Sequence, residues 1–324
     1  MDIQVVISQM AVLFLLIAAG YVFGKIKMLT PDGVKVLSKV VINISTPSVI
    51  LNSVLGDTGG ISGGKTAHFI LMVLLVYMLF FLIAMPAARA LGSGEVEGGW
   101  GMGSGDEGSA VRFRGNSGIY TSMIVFGNVG FMGYPVVQAI FGDRAMFYAV
   151  LLNVIFNMLI YSVGIIMISG KKENVRLKVI VNATFVASVI SLIIAFTGFR
   201  APFVITETVR IAGGINTPCA MLVIGATLAQ IPVGHVFIKW RLYIIALLKM
   251  IAIPVITWLI FKQFITESML LGLLVVLSGM PIAAAVPMIA VEYGGDEHLA
   301  SGGVFLTTLL SAATIPLIVH LLLT

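Results

Sequence analysis

The chain has 324 residues, of which 59% are hydrophobic and only 10% are charged, and its mean hydropathy is +1.09. Soluble domains carry about 25% charged residues, so this composition excludes a soluble protein and indicates an integral membrane protein. The net charge of +5 is therefore attributed to basic cytoplasmic loops rather than to a nucleic-acid partner. A single cysteine, Cys219, and four histidines without metal-ligand spacing exclude a disulfide framework and predict no metal site.

Ten apolar stretches follow one another along the chain. Each is roughly 20 residues long, the length that crosses the ~30 Å hydrocarbon core as a helix. The chain is therefore predicted to be an all-α membrane protein. The first stretch follows Met1-Asp2, which lacks the basic residues of a signal peptide, and we expect it to be a transmembrane helix. The predicted spans, numbered one to ten, are 4–24, 36–55, 67–90, 117–140, 145–169, 179–198, 210–230, 242–262, 268–291 and 302–323.

Basic residues in the loops predict the orientation. Thirteen of the lysines and arginines fall on one side of the ten spans, five fall on the other side, and Lys249 lies within span eight. Cytoplasmic loops carry the excess of basic residues. We therefore expect a multi-pass protein of a bacterial cytoplasmic (inner) membrane with both termini outside.

The loop at 92–116 differs from the rest of the chain. It has nine glycines together with serine, glutamate and aspartate, and it shows no apolar periodicity. Such a segment cannot bury enough surface to fold alone, so it is predicted to be a flexible cytoplasmic linker. A regulatory or partner-binding role is the alternative.

Two pairs of spans share sequence patterns, which indicates an internal repeat. Ser45-Thr46-Pro47 in span two matches Asn216-Thr217-Pro218 in span seven. The segment 135–142 of span four matches 287–294 of span nine, with seven residues from proline to glycine and an aromatic residue before the glycine in both. The two offsets, 171 and 152 residues, differ by 19, which the linker accounts for because it occurs only in the first half.

Residues 1–170 (spans one to five) therefore match residues 171–324 (spans six to ten). Five is an odd number, so the second copy enters the membrane from the opposite side, and the loop charges agree with this. Inverted-topology repeats around a midplane site are typical of secondary transporters. We predict ten transmembrane helices in two inverted five-helix repeats, with spans four and nine broken and crossing at the pseudo-two-fold axis.

Glycines and prolines in spans four and nine favour helix interruption near the membrane centre. Proline removes a backbone donor and glycine lowers the cost of unwinding, so breaks are predicted at Pro135 and Pro287. Half-helix N-termini exposed at such breaks suit a carboxylate. The alternative is that these residues only kink closely packed helices. The candidate substrate-binding residues of the two spans are Asn128, Gly130, Tyr134, Pro135, Ser278, Pro281, Val286 and Pro287.

Polar residues in spans two, seven and eight are further candidates. Lys249 is either a functional charge inside the membrane or a side chain that snorkels to the interface. The polar residues of spans two and seven either face the same cavity or bond to their own and neighbouring helices. They are Asn43, Thr46, Asn216 and Thr217.

The sequence lacks the motifs of enzymes and of ATP-driven pumps. It has no phosphate-binding glycine-lysine loop, no HExxH motif and no nucleophile elbow. We therefore expect neither an enzyme nor a bound cofactor. Buried carboxylates, which usually relay protons, are missing from the span centres, so coupling to H+ or to Na+ stays open.

The segment from Asn128 to Asp143, Asn-Val-Gly-Phe-Met-Gly-Tyr-Pro-Val-Val-Gln-Ala-Ile-Phe-Gly-Asp, resembles the fourth-helix motif of the auxin efflux carrier family. This family includes plant PIN-type carriers and bacterial malate permeases. Pro281-Ile-Ala-Ala-Ala-Val-Pro287, followed by Glu292-Tyr293-Gly294, resembles the ninth-helix motif, and the likeness continues through 299–303. The ten-span plan extends the resemblance over essentially the whole chain.

The resemblance implies a scaffold of spans 1, 2, 6 and 7 and a transport domain of spans 3–5 and 8–10 that moves like an elevator. It places Asn128 against the substrate carboxylate, with Pro135 and Pro287 marking the crossover. A homodimer through the scaffold helices is a further expectation. The long loop follows span three here, whereas plant carriers have it between the halves. The glycines and methionines of the span-four motif give no reason to expect recognition of an indole ring.

We therefore expect a secondary transporter of a small organic anion, either an auxin-like monocarboxylate or a malate-like dicarboxylate. A sodium-coupled symporter of the bile-acid type, with a similar ten-helix plan, is the first alternative. The second is a membrane receptor or assembly partner that has kept the fold without transport and uses the 92–116 linker as its contact.

Overall fold

The computed structural model describes residues 3–55, 63–92, 116–170, 182–231 and 239–323. Within these ranges the regular structure is helical, apart from one isolated antiparallel pair between Gly127 and Ile282. The predicted linker at 92–116, except for its two end residues, and the first residues of predicted span six lie outside the described ranges.

Sixteen α-helices lie in the described ranges. They are α1 (Ile3–Lys25), α2 (Pro31–Val40), α3 (Thr46–Leu55), α4 (Gly63–Gly92), α5 (Ser117–Val125), α6 (Tyr134–Phe141), α7 (Asp143–Leu159), α8 (Ile165–Ser169), α9 (Ala183–Thr197), α10 (Phe203–Gly214), α11 (Asn216–Gln230), α12 (Trp240–Leu247), α13 (Ile253–Phe261), α14 (Ser268–Ser278), α15 (Ala285–Tyr293) and α16 (Glu297–Leu323).

Seven continuous helical stretches in the described ranges are long and apolar enough to cross a bilayer. In chain order they fall in predicted spans one, two, three, five, seven, eight and ten. Shorter apolar helices fall in spans four, six and nine. The chain is therefore a multi-pass membrane protein. The seven are Gln4–Lys25, Pro31–Leu55, Gly64–Gly92, Asp143–Ser169, Phe203–Gln230, Trp240–Phe261 and Glu297–Leu323.

Several of these helices contain one π-helical turn, which explains how they tolerate proline. The turns span Val41–Ser45, Val129–Gly133, Ile160–Gly164 and Leu248–Ala252. Three of the four are followed, two residues later, by a proline. Proline has no N–H and its ring clashes with the carbonyl four residues earlier, and a wider turn directly before it accommodates both effects. The helix therefore continues through the proline.

Spans four and nine are both interrupted, but the predicted breaks at Pro135 and Pro287 are wrong. Span four leaves the helix after Val125 and resumes at Val129. Span nine leaves it after Ser278, and α15 begins at Ala285. Pro287 lies in the first turn of α15, where an N–H group has no intrahelical acceptor, so proline fits there. Pro135 follows the Val129–Gly133 turn, through which the helix is continuous, since the N–H of Tyr134 donates to the Val129 carbonyl.

Spans one and seven pack along each other with their backbones in contact. A Cβ atom added to Gly225 would lie 2.0 Å from the Ile17 carbonyl oxygen, and one on Gly20 would lie 2.4 Å from the Leu222 carbonyl oxygen. Close packing at small residues is how membrane helices associate, because lipid offers no hydrophobic drive between them. These glycines fix the spacing of the two spans.

The outer faces of the helices carry large apolar side chains that are exposed, among them Leu15, Phe203 and Leu321. Such faces suit contact with lipid. The larger of two buried apolar clusters includes residues of α4, α5, α7, α14 and α16, and the smaller one consists of Val34, Val223 and Ala226. Among the described residues, Lys249 is the one charged side chain that is buried, with 1% of its surface exposed.

Candidate functional site at the crossing of two interrupted helices

The two interruptions pair with each other through their backbones. The N–H of Asn128 donates to the Pro281 carbonyl at 2.7 Å, and the N–H of Ala283 donates to the Phe126 carbonyl at 3.0 Å. These bonds flank the antiparallel contact between Gly127 and Ile282. In hydrocarbon each unpaired backbone group costs several kcal/mol. Each interruption therefore supplies the hydrogen-bond partners that the other one needs.

Thr307 on α16 completes this pairing. The N–H of Ile282 donates to the Thr307 hydroxyl at 3.1 Å, and that hydroxyl donates to the Gly303 carbonyl at 2.7 Å. Thr307 is buried. The sequence interpretation missed this residue, since it is one of four hydroxyl side chains in span ten, with Thr308, Ser311 and Thr314, and nothing in the sequence distinguishes it from them.

Four half-helices meet at the crossing with alternating polarity. The chain arrives at it through α5 and α14, whose carboxyl ends point toward the crossing. It leaves through the Val129–Gly133 turn and through α15, whose amino ends lie there. Helix carboxyl ends carry partial negative charge and amino ends carry partial positive charge. The crossing therefore presents both carbonyl acceptors and amide donors at one place.

Three buried polar side chains surround the Val129–Gly133 turn. Asn128 precedes the turn and is 5% exposed, and its carboxamide has no hydrogen-bond partner among the described residues. The Tyr134 hydroxyl, directly after the turn, is buried with no partner of ordinary length among those residues. The buried Asn153 side chain faces it from α7, with its Oδ1 atom 3.9 Å from where a Cβ on Gly130 would lie. Buried polar groups are normally paired, so this cluster is a candidate ligand site.

Lys249 reaches the same crossing from span eight. Its Nζ atom donates to the Val125 carbonyl at 3.1 Å, at the carboxyl end of α5. It also lies over the Phe80 ring, 5.2 Å from the centroid. The side chain is buried, so the alternative in which it snorkels to the interface is wrong.

The candidates of spans two and seven form a separate cluster. The hydroxyls of Ser45 and Thr46 both donate to Asn216 Oδ1, at 3.1 and 3.0 Å, and all three residues are buried. Asn43 is exposed and its amide donates to the Lys39 carbonyl of its own helix. The structure thus brings Thr46 and Asn216 together and leaves Asn43 outside this cluster, while Thr217, which is half-buried, makes no hydrogen bond within it.

The remaining candidates of span nine contribute packing rather than free polar groups. Ser278 is buried and its hydroxyl donates to the Val275 carbonyl at 2.7 Å. Val286 is fully buried in the first turn of α15.

The aligned glycines after α6 and α15, Gly142 and Gly294, both have positive φ, 74° and 79°. Glycine adopts this conformation without the penalty that a Cβ imposes, which explains why both copies end in glycine.

A cavity of about 260 Å³ lies where the first turns of α5, α12 and α16 meet. Its lining includes two basic residues, Lys239 and Arg241, one acid, Asp296, and the aromatic ring of Tyr120. Tyr120 lies in α5, five residues before its last residue, Val125, or about 7.5 Å at the rise of a helix. The cavity and the crossing are thus connected by the first half of span four.

Comparison with known proteins assigns these features to transporters. Residues 114–319 match the family described as membrane transport protein. The chain is 24% identical over 308 residues to an uncharacterised transporter of Methanothermobacter thermautotrophicus, covering 93% of both chains. It is 23% identical over 321 residues to an uncharacterised transporter of Methanocaldococcus jannaschii, covering 94% of this chain and 95% of that one. It is also 24% identical to a Rhizobium meliloti protein named "Putative malonate transporter", over 61% of this chain and 64% of that one.

Proposed function

The chain belongs to the membrane transport protein family, the auxin efflux carrier-like family that its sequence resembles, and we propose that it is a secondary transporter of a small organic anion. The substrate class is a mono- or dicarboxylate, as the name of the Rhizobium meliloti relative also suggests. The observation that carries this proposal is the cluster of three buried polar side chains, Asn128, Tyr134 and Asn153, beside an interrupted helix, in which the Tyr134 hydroxyl lacks a hydrogen-bond partner of ordinary length among the described residues.

The chemistry of the crossing favours an anion. The amino ends of the Val129–Gly133 turn and of α15 carry partial positive charge, and the two asparagine carboxamides add N–H donors. The Lys249 amine, which donates to the Val125 carbonyl, adds a further N–H donor nearby. Among the described residues, no Asp or Glu side chain is buried. A carboxylate bound there would accept hydrogen bonds from these donors, and such charge-assisted bonds are the strong ones.

The architecture belongs to the same proposal. Ten spans form two inverted five-helix repeats, with spans 1, 2, 6 and 7 as a scaffold and spans 3–5 and 8–10 as a transport domain. Contacts within each group support this division. In the first group the Ser191 hydroxyl donates to the Ile50 carbonyl at 3.1 Å. In the second group the bonds of Thr307 and Lys249 join spans ten and eight to the crossing.

In this proposal the transport domain moves as an elevator and carries the bound anion from one side of the membrane to the other. The basic cavity at Lys239 and Arg241 serves as the cytoplasmic entrance, and α5 leads from it to the crossing. The protein resides in a bacterial inner membrane with both termini outside. Scaffold helices of two copies form a homodimer.

Uptake of labelled acids by proteoliposomes tests the function. Malonate, malate and indole-3-acetate are compared for the wild-type protein, Asn128→Ala and Asn157→Ala. Hydrogen bonds to charged groups contribute about 1.5–3 kcal/mol, so Asn128→Ala is expected to lower uptake roughly 10- to 150-fold. Asn157→Ala is the matched control, because that carboxamide donates to the Asn153 carbonyl of its own helix. The proposal would be overturned if the wild-type protein took up none of these acids, or if Asn128→Ala took them up as fast as the wild-type protein.

A further inference from the structure

Lys249 occupies an unusual place for a basic side chain. It lies within span eight, in the Leu248–Ala252 turn, and 1% of its surface is exposed. The described residues include ion pairs of Lys35, Lys65 and Arg210 with acids, but none of Lys249. An ionisable side chain inside a membrane span is costly to keep charged, and such residues are candidate functional groups.

The surroundings of the ammonium identify what it pairs with. Its Nζ atom donates to the Val125 carbonyl at 3.1 Å, and Val125 is the last residue of α5. A Cβ added to Gly127 would lie 3.3 Å from Nζ and 3.4 Å from the carbonyl oxygen of Met280. The Phe80 ring covers the ammonium at 5.2 Å. The positive charge thus faces a helix carboxyl end and a π face, both of which attract cations.

Transporters with interrupted helices coordinate Na+ in the membrane through the backbone carbonyls of unwound segments and through the carboxyl ends of half-helices. Here the Lys249 ammonium holds that position. We propose that Lys249 is the resident cation of the crossing, in the place where a coupling Na+ would otherwise be coordinated, so that anion binding and transport need no Na+.

This assignment rests on the proposed transport of an organic anion and specifies its coupling. A tethered ammonium supplies the positive charge that stabilises the α5 carboxyl end, which lies two residues before Gly127 and three before Asn128. Unlike a bound metal ion, it does not leave with the substrate. The sodium-coupled alternative is therefore the one that this assignment excludes.

The test compares Na+ with choline at constant chloride concentration and pH. The thermal midpoint of the detergent-solubilised protein and the uptake of labelled malonate or malate by proteoliposomes are both measured. The wild-type protein is expected to give the same midpoint and the same uptake in both salts. A wild-type rate or midpoint that rises with Na+ would overturn the proposal.

Two substitutions test whether the charge itself is needed. Lys249→Gln removes the charge and keeps an N–H donor on a side chain that is one atom shorter, and it is expected to lower the midpoint and to reduce uptake in choline roughly 10-fold or more. Gly127→Ala places a methyl group against Nζ and is expected to have the same effects to a smaller extent. Lys262→Gln is the control, because Lys262 lies exposed over the Trp258 ring at the end of α13.

If Lys249→Gln has the same thermal midpoint and the same uptake in choline as the wild-type protein, the assignment is overturned. If this variant yields no folded protein, the salt comparison on the wild-type protein still decides. Failure of the proposed function is distinguishable, since it shows as the absence of uptake and of any stabilisation by organic acids in either salt. The wild-type midpoint in Na+ and in choline reports on the Na+ requirement, and the comparison of Lys249→Gln with Lys262→Gln reports on the charge of Lys249.

Discussion

Thr307→Val is the substitution that most cleanly tests how the crossing is held together. The two side chains have nearly the same shape, so the change removes the hydroxyl and leaves the packing. The N–H of Ile282, which donates to that hydroxyl at 3.1 Å, then lacks an acceptor in the protein interior. Leaving a buried donor unsatisfied costs about 1–3 kcal/mol, and we expect the free energy of unfolding to fall by this amount.

The assay is unfolding of the detergent-solubilised protein by added denaturing detergent, followed by circular dichroism. Thr121→Val is the matched control. Thr121 is equally buried, in α5, but its hydroxyl only donates to the Ser117 carbonyl of its own helix, so no backbone donor loses its partner. An equal loss of stability in both variants, or none in Thr307→Val, would refute the role assigned to the hydroxyl.

Two further predictions concern the scaffold. Gly225→Ala places a Cβ about 2 Å from the Ile17 carbonyl oxygen and should lower the free energy of unfolding by about 3 kcal/mol or more. The control is Gly214→Ala, whose Cβ has nothing within 4 Å and which should leave the thermal midpoint unchanged or raise it. Equal midpoints for both variants would contradict the close packing of spans one and seven. Asn216→Leu removes the acceptor shared by two buried hydroxyls and should lower the free energy of unfolding by about 1–3 kcal/mol in the same assay. Asn43→Ala, at an exposed position, should change it by less than about 1 kcal/mol. A larger loss of stability for Asn43→Ala than for Asn216→Leu would count against the cluster.

The membrane class and the long helices were predictable from the sequence, because the length of an apolar run is a local property and matches the thickness of the bilayer. The predicted spans one, two and three correspond to helices Gln4–Lys25, Pro31–Leu55 and Gly64–Gly92. The main differences are at helix ends, where local signals are weak.

The positions of the interruptions were not predictable in the same way. Proline is the local signal for a break, but the π-helical turn at Val129–Gly133 accommodates Pro135, and the first turn of α15 accommodates Pro287. The backbone unwinds instead at Gly127, where it gains hydrogen bonds from residues more than 150 positions further along the chain. Such pairing is tertiary, and a single sequence does not reveal it.

The candidate site was predicted in part. Asn128 was found because it lies in a recognisable motif, and the structure places it next to Pro281 at the crossing. The contribution of Thr307 and the contact of Lys249 with Val125 depend on how spans eight and ten pack against span four. For Asn43 and Asn216 the sequence left two interpretations open, and only their different burial separates them.

The central claim, that an organic anion binds at the crossing of the interrupted helices, is tested most directly by ligand-dependent stability. Thermal midpoints of the purified wild-type protein, Asn128→Ala and Asn157→Ala are measured with increasing malonate and malate. A ligand at 100 times its Kd stabilises the folded state by about 2.7 kcal/mol. We predict a saturable rise in the midpoint for the wild-type protein and for Asn157→Ala. For Asn128→Ala we predict no rise, while its midpoint without ligand equals that of the wild-type protein. A full rise in Asn128→Ala would place the binding site elsewhere and contradict the account.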